Sequence, residues 1–129
     1  MTIFSKIVSG EISAYKVAES VEFLAFLDIA PLAEGHVLVI PKKEVDYIFD
    51  LDDETYTGLQ IFAKIVAEGI KKAIPCKRIG VTVIGLEVPH AHIHLIPINS
   101  VGDMNFSRPK LKFTPEQLEA TAAKIRAAL

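Results

Sequence analysis

The sequence predicts an α+β protein, built as a five-stranded, mostly antiparallel sheet with one long helix and short terminal helices. Apolar residues recur with helical spacing in three segments and form short runs typical of strands in five others. Their order along the chain is helix, three strands, helix, two strands, helix. Because consecutive strands are joined by short links, antiparallel pairing is favoured. The 129 residues suit a single domain spanning 1–129.

The first part of the chain predicts one short helix and three strands. Residues 3–12 carry apolar side chains with helical spacing, and Gly10 is placed to end the helix. A turn with Pro and Gly at 31–35 precedes the third strand, which is apolar after its initial His36. The three predicted strands cover residues 17–18, 22–28 and 36–41.

The second part predicts the long helix, two strands and a terminal helix. The long helix covers about 53–72, with Asp52 or Asp53 as its N-cap and Pro75 blocking its continuation. A polar loop at 99–112 leads to a last helix that runs to about Ala127, and Thr114 and Gln117 form the pattern of a capping box at its start. The two predicted strands cover residues 79–84 and 90–98.

Composition restricts the class of protein and its surroundings. The net charge is −2 and the isoelectric point about 6.1, with no basic stripe, so nucleic acid is not an expected partner, whereas a single mononucleotide needs only a pocket. The lone Cys76 has no disulfide partner, which indicates a reducing compartment. No signal peptide or membrane-spanning stretch is evident, so we expect a cytoplasmic protein that does not contact membranes.

Three of the four histidines alternate along the last predicted strand, at His90, His92 and His94. Alternate side chains of a strand share a face, so these rings should lie together, pointing outward, while Ala91, Ile93 and Leu95 face the core. A core does not readily accommodate three imidazoles that each need hydrogen-bond partners, so the cluster indicates function rather than packing. The alternative is a solvated polar strand face.

Two chemistries suit such a cluster. The histidines could bind Zn²⁺ as an open catalytic site, with Glu87 as a carboxylate partner of a ligand. They could instead act on a phosphate, one neutral imidazole attacking phosphorus while a neighbour stabilises the oxygens. The cluster alone does not decide between them, although its spacing slightly favours the metal.

Further motifs surround the cluster. The stretch His90-Ala91-His92-Ile93-His94-Leu95-Ile96 fits the pattern His-φ-His-φ-His-φ-φ, where φ is apolar, and Ala25-Phe26-Leu27-Asp28-Ile29-Ala30-Pro31 and Gly35-His36-Val37-Leu38-Val39-Ile40-Pro41-Lys42 precede it. With these motifs the chain resembles the histidine triad (HIT) family over about residues 2–98. Within that family it is most similar to the Hint-type purine nucleoside phosphoramidases, which are compact homodimers.

The resemblance implies a nucleotide hydrolase that needs no metal or other cofactor. His92 corresponds to the nucleophile, which forms a covalent nucleotidyl-histidine intermediate with an AMP-like purine mononucleotide. His94 and His36 resemble the histidines that contact the phosphate, and His90 resembles the one that supports the nucleophile. A neutral histidine is the main form at pH 7, which suits nucleophilic attack.

The resemblance also implies the substrate-binding residues. Asp28 corresponds to the carboxylate that accepts hydrogen bonds from the ribose hydroxyls, although a turn-forming Asp is the alternative from the residues alone. Glu87 and Val88 lie just before the triad, in the segment that contacts the phosphate and leaving group. The positions around the nucleobase are apolar and also suit a core; they are Ile3, Phe4, Ile7, Ile12, Phe26, Leu27 and Ile29.

The chain departs from the family pattern in three places. Thr2 and Ser5 stand where many bacterial members have two cysteines that bind structural zinc, so we expect that zinc to be absent. Glu44 stands after the paired lysines, where the family often has histidine. The link at 84–89 is shorter than the usual glycine-rich loop, and Glu87 replaces a Ser or Thr. Glu87 could orient an imidazolium or select an amine leaving group. The altered loop also leaves open a nucleotide-binding or scaffolding protein with vestigial catalysis.

Overall fold

The computed structural model describes residues 1–129 and confirms the α+β architecture with a five-stranded sheet and three helices. The elements in chain order are the helix α1 (Ile3–Ser9), the strands β1 (Lys16–Glu19), β2 (Phe23–Leu27) and β3 (Val37–Pro41), the helix α2 (Asp53–Ala73), the strands β4 (Arg78–Thr82) and β5 (Ile93–Ile98), and the helix α3 (Pro115–Ala128).

The sheet has the strand order β1-β2-β3-β5-β4, and every neighbouring pair is antiparallel. The strand β5 therefore lies between β3 and β4. His94 of β5 pairs with Leu38 on one side and with Thr82 on the other. This register brings the end of the histidine motif onto the middle of the sheet, while β4 is left as an edge strand.

The helix boundaries follow the predicted capping residues. Gly10 ends α1 with a positive φ of 87°, a conformation that glycine adopts without strain. The Asp52 side chain accepts a hydrogen bond from the Thr55 N–H at the start of α2. Thr114 and Gln117 form the expected capping box at the start of α3. These local signals explain why the helices are placed well from sequence.

The sheet separates two apolar clusters. The larger one lies on the face covered by α2 and α3, where Ala91, Ile93 and Leu95 pack as predicted. The smaller one lies on the opposite face beneath α1 and comprises Phe4, Ile7, Leu24, Phe26, Leu38 and Ile40. Because His94 lies opposite Leu38 in the register, the histidine side of the motif belongs to the α1 face.

Several predicted boundaries are wrong, and the largest difference concerns β5. It begins at Ile93 rather than His90, because the backbone N–H of Ala91 donates to the carbonyl of Val45 in a loop, and that of His90 to Val88, instead of to the sheet. The strand β4 ends at Thr82 rather than at residue 84. Two short 3₁₀ turns, Ile48–Asp50 and Val101–Met104, were not expected from the sequence.

None of the helices has both the length and the apolar character needed to span a bilayer.

Candidate active site

The fold brings all four imidazoles to the α1 side of the sheet. The ring centroids of His92 and His94 are 5.0 Å apart, and those of His36 and His94 are 5.2 Å apart. The Phe4 ring of α1 lies edge-on to both His90 and His92, at 5.8 and 5.0 Å. His36 therefore lies near the three alternating histidines, although the first of them follows it in the chain by 54 positions.

The triad faces away from Ala91, Ile93 and Leu95, but all four histidines are buried. The reason is that partners distant in sequence satisfy the ring nitrogens that are sealed from water, and no fully buried side-chain nitrogen or oxygen lacks a hydrogen bond. The solvated polar strand face is excluded by the same burial.

Hydrogen-bond partners fix the proton positions on His36 and His94. The Leu32 N–H donates to Nδ1 of His36 at 3.0 Å, so a neutral His36 ring carries its proton on Nε2. This Nε2–H donates to Nδ1 of His94 at 3.0 Å, which places the proton of a neutral His94 on its own Nε2. Both nitrogens of His36 are therefore hydrogen-bonded to protein groups, and the bond to His94 leaves Nε2–H of His94 as a donor.

The partners of His92 fix the opposite tautomer. Nδ1 of His92 lies 2.7 Å from the carbonyl oxygen of His90. Because a carbonyl oxygen only accepts hydrogen bonds, Nδ1 carries the proton of the neutral ring, and Nε2 has a lone pair. No protein group bonds to Nε2 of His92 or to Nε2 of His94, and since no sealed nitrogen is unpaired, these two atoms are the ones open to solvent. Adjacent rings thus present a nucleophilic lone pair and an N–H donor at the open side of the imidazole cluster.

Burial also keeps the supporting imidazoles uncharged. It lowers the pKa of His36 to about 3, and it lowers the pKa of His94 to about 4, with the neighbouring His92 adding to the shift. Burial lowers the pKa of His90 as well, against opposing effects of its bond to Pro41 and the charge of Glu44. Neutral rings at pH 7 agree with the tautomers deduced from the hydrogen bonds.

Asp28 lies at the edge of the imidazole cluster, directly after β2. One carboxylate oxygen accepts the N–H of Ala30 at 2.9 Å, and the other is 3.7 Å from Nε2 of His36. Burial raises the pKa of Asp28, and the Glu87 carboxylate adds to that rise although the Ala30 bond opposes it. Glu87 itself is exposed in the short segment before the triad.

The apolar residues predicted around a nucleobase separate into three groups. Phe4, Ile7 and Phe26 are buried together on the α1 face, and Val88 packs against their cluster. Leu27 packs on the other face of the sheet, beneath the helices, because it alternates with Phe26 along β2. The side chains that remain exposed are Ile3, Ile12 and Ile29.

Sequence reasoning missed two residues of the 99–112 loop that border the cluster. The Phe106 ring lies edge-on to His94 at 4.9 Å and to His36 at 6.2 Å. Lys110 lies over the outer side of Phe106, with its Nζ 5.8 Å from the ring centre. The N–H of Leu111 donates to the carbonyl of Pro31 and ties this loop to the turn after Asp28. The only feature of the sequence that could have indicated this contact is the aromatic Phe106 within a mostly polar segment.

One group of potential metal ligands exists here, formed by Asp28, His36 and His94, whose ligand atoms all lie within 4.8 Å of one another. It differs from the alternating set that the sequence suggested for zinc. A metal on Nε2 of His36 would displace the proton shared with His94 and move it to Nδ1, where it would face the N–H of Leu32. In this hydrogen-bonded arrangement the residues do not fit a zinc ion.

Known proteins resemble the chain in sequence and in fold. The family model described as "HIT domain" matches residues 9–101. The adenosine 5'-monophosphoramidase hnt1 of Schizosaccharomyces pombe is 36% identical over 129 residues, covering 95% of this chain and 94% of that protein. The adenosine 5'-monophosphoramidase HNT1 of Saccharomyces cerevisiae is 40% identical over 96 residues, covering 74% of this chain and 61% of that protein.

A solved structure extends the likeness to the whole fold. The crystal structure of a Hit-like protein involved in cell-cycle regulation from Bartonella henselae superposes with a TM-score of 0.86 at 35% identity, covering 99% of this chain and 96% of that one. The family model spans most of the chain, including the three alternating histidines and His36. The chain belongs to the HIT domain family, the histidine triad family that its sequence resembles.

Proposed function

We propose that this protein is a nucleotide hydrolase that cleaves a purine nucleoside phosphoramidate or a related nucleotide through a covalent nucleotidyl-His92 intermediate. The observation that carries the proposal is the complementary pair of tautomers of His92 and His94. Nε2 of His92 has a free lone pair because its Nδ1–H is held by the His90 carbonyl. The adjacent Nε2 of His94 has a proton because its Nδ1 accepts from His36.

In the first step, the lone pair of His92 forms a bond to the α-phosphorus while the bond to the leaving nitrogen breaks. The departing nitrogen takes a proton from solvent and leaves as an amine. The Nε2–H of His94 donates to a non-bridging phosphoryl oxygen, where negative charge is greatest in the transition state. His36 acts through His94, since its own two nitrogens are both engaged.

In the second step, water attacks the phosphorus and the bond to Nε2 breaks, which releases AMP and returns His92 to its neutral form. The proton lost by the water goes to solvent. The His90 carbonyl stabilises the positive charge that the His92 ring carries between the two steps, because it already accepts the Nδ1–H at 2.7 Å. The cycle requires no metal.

The nucleoside half of the substrate fits the groups beside the imidazoles. Asp28 supplies a carboxylate for the ribose 2′ and 3′ hydroxyls, and Phe4 and Phe26 supply aromatic surface for the purine. The exposed Ile29, at 70% of its maximal accessibility, gains cover when a base binds. The names of the two yeast relatives, both adenosine 5'-monophosphoramidases, support the choice of an adenosine phosphoramidate.

The same proposal includes a homodimer formed at the edge of the sheet. The strand β4 is unpaired on its outer side, and Val81 in it is 59% exposed. Ile61 and Ile65 of α2 are also exposed. An unpaired edge with exposed apolar side chains is a surface that pairing with a second copy would cover.

The replacement His92→Ala tests the catalytic proposal. We expect kcat for an adenosine phosphoramidate to fall about a thousandfold or more, while the affinity for AMP changes less than about threefold. A chelator should leave the wild-type rate unchanged. Full activity in His92→Ala would end the covalent proposal, loss of activity with the chelator would favour a zinc hydrolase, and tight AMP binding with negligible wild-type turnover would favour a nucleotide-binding protein.

A further inference from the structure

Thr2, Ser5, Glu44 and His90 form one hydrogen-bonded cluster behind the imidazoles, and the proposed chemistry does not use it. Thr2 is the N-cap of α1, and its hydroxyl accepts the Ser5 N–H at 3.0 Å and lies 3.0 Å from Nδ1 of His90. Glu44 receives the Thr2 N–H at 2.9 Å and the Ser5 hydroxyl at the same carboxylate oxygen. The cluster joins the start of α1 to the first histidine of the triad.

The direction of these bonds follows from the chemistry of the groups. Nε2–H of His90 donates to the carbonyl of Pro41 at 2.8 Å, so Nδ1 of the neutral ring accepts the Thr2 hydroxyl proton. The Ser5 hydroxyl donates to Glu44, whose pKa is lowered chiefly by that bond and further by the Thr2 N–H. Both nitrogens of His90 are therefore held, one by β3 and one by α1.

The cluster reaches the nucleophile through a single backbone atom. The carbonyl of His90 is the acceptor that keeps the proton of His92 on Nδ1. The chain at His90 lies outside the sheet ladder, because β5 begins at Ile93. The position of that carbonyl therefore depends on how the His90 ring is anchored, and the Phe4 ring of α1 contacts both rings from the same side.

A structural zinc ion does not fit these four residues. Two of them offer neutral hydroxyls, whereas structural zinc sites use thiolates and imidazoles. The third donor, His90, has no nitrogen free for a metal because Pro41 and Thr2 engage both. The cluster is a hydrogen-bonded unit in its own right.

We propose that Thr2, Ser5 and Glu44 are positioning residues that hold the His90 carbonyl in place and thereby keep His92 in the tautomer with a free Nε2. In this arrangement α1 acts as a brace for the nucleophile. The activity readout of the following test rests on the proposed function, whereas its spectroscopic readout does not.

The test compares Thr2→Val, Thr2→Ser and Thr114→Val. Thr114 is the N-cap of α3 and, like Thr2, accepts a backbone N–H three residues ahead, so its replacement controls for the loss of a helix cap far from the site. For Thr2→Val we expect kcat to fall about tenfold with KM within about twofold, because the positioning of the nucleophile is lost and binding is not. Thr2→Ser should recover most of the loss, and Thr114→Val should match the wild type.

The spectroscopic readout is the nitrogen NMR spectrum of the histidine rings, which distinguishes Nδ1–H from Nε2–H tautomers. In Thr2→Val the Nδ1–H fraction of His92 should fall, and in Thr114→Val it should not. An unchanged His92 tautomer in Thr2→Val, or equal kinetic losses in the two valine variants, would overturn the inference. If the wild type has no phosphoramidase activity, the proposed function fails. The NMR comparison still decides whether Thr2 holds His92 in its tautomer.

Should Thr2→Val fail to fold, Glu44→Ala replaces it, because Glu44 is exposed and its removal leaves the core intact. The control is Glu116→Ala, an exposed glutamate of α3, which lies on the opposite face of the sheet. For Glu44→Ala we expect kcat to fall about threefold and the Nδ1–H fraction of His92 to decrease. The effect is smaller than in Thr2→Val because the replacement removes the acceptor shared by Thr2 and Ser5 but leaves the Thr2 hydroxyl. Equal kcat values and equal His92 tautomer fractions in the two alanine variants would refute the role of Glu44 in positioning His92.

Discussion

The buried imidazoles should make the protein lose stability in mild acid. Burial lowers the pKa of His36 to about 3 and that of His94 to about 4, whereas both titrate near 6.5 in an unfolded chain. Because folding favours the neutral rings, their contribution is fully present above pH 6.5. It is lost as the pH falls from there toward the folded-state pKa values, since the unfolded chain then binds more protons.

The size of the effect follows from this linkage. Between about pH 7.5 and pH 5, one imidazole that stays neutral when folded and titrates near 6.5 when unfolded reduces the free energy of unfolding by roughly 2 kcal/mol. His36 and His94 together give about 4 kcal/mol. His90, whose pKa is also lowered by burial, acts in the same direction. The carboxylates with lowered pKa values, such as Asp52, lose their contributions only at more acidic pH.

The assay is urea unfolding of the wild type and of His36→Asn at these two pH values. Asparagine does not titrate and can accept the Leu32 N–H in place of Nδ1. We expect the loss of stability on acidification to be about 4 kcal/mol in the wild type and about 2 kcal/mol in the variant. Equal stability of the wild type at both pH values, or an equal loss in the two proteins, would refute the assignment of neutral, buried rings.

Three further changes test the substrate site and the assembly. Asp28→Asn should raise KM about tenfold with little change in kcat, because a charge-assisted bond to the ribose is lost, and an unchanged KM would remove Asp28 from substrate binding. Glu87→Ser should reduce the preference for a lysyl over a morpholino leaving group about threefold, and an unchanged preference in steady-state kinetics would exclude Glu87 from leaving-group selection. Val81→Lys should lower the mass found by size-exclusion chromatography with light scattering from twice 14.1 kDa to 14.1 kDa, and a wild-type monomer would contradict the dimer.

The elements that the sequence predicted well are those defined by neighbouring residues. Gly10 and Thr114 mark helix ends through hydrogen bonds within one turn, so their signals are complete in the local sequence. The apolar side of the last strand was equally readable, because alternation places Ile93 and Leu95 on one face.

What the sequence did not reveal depends on contacts between distant segments. The burial of the histidines requires Leu32, Pro41 and Thr2 as partners, and none of these is near the triad in the chain. The late start of β5 has the same cause, since Ala91 bonds to Val45. Phe106 carries no periodic pattern, so its contact with His94 was visible only in the fold.

The covalent intermediate on His92 is detected by the mass of the intact protein after a brief incubation with an adenosine phosphoramidate, quenched under alkaline conditions that preserve phosphorus–nitrogen bonds. We expect a species heavier by one adenylyl group, with the added mass located on His92 by peptide fragmentation and absent from His92→Ala. Turnover without an adduct under single-turnover conditions, or an adduct on another residue, would contradict nucleophilic attack by His92.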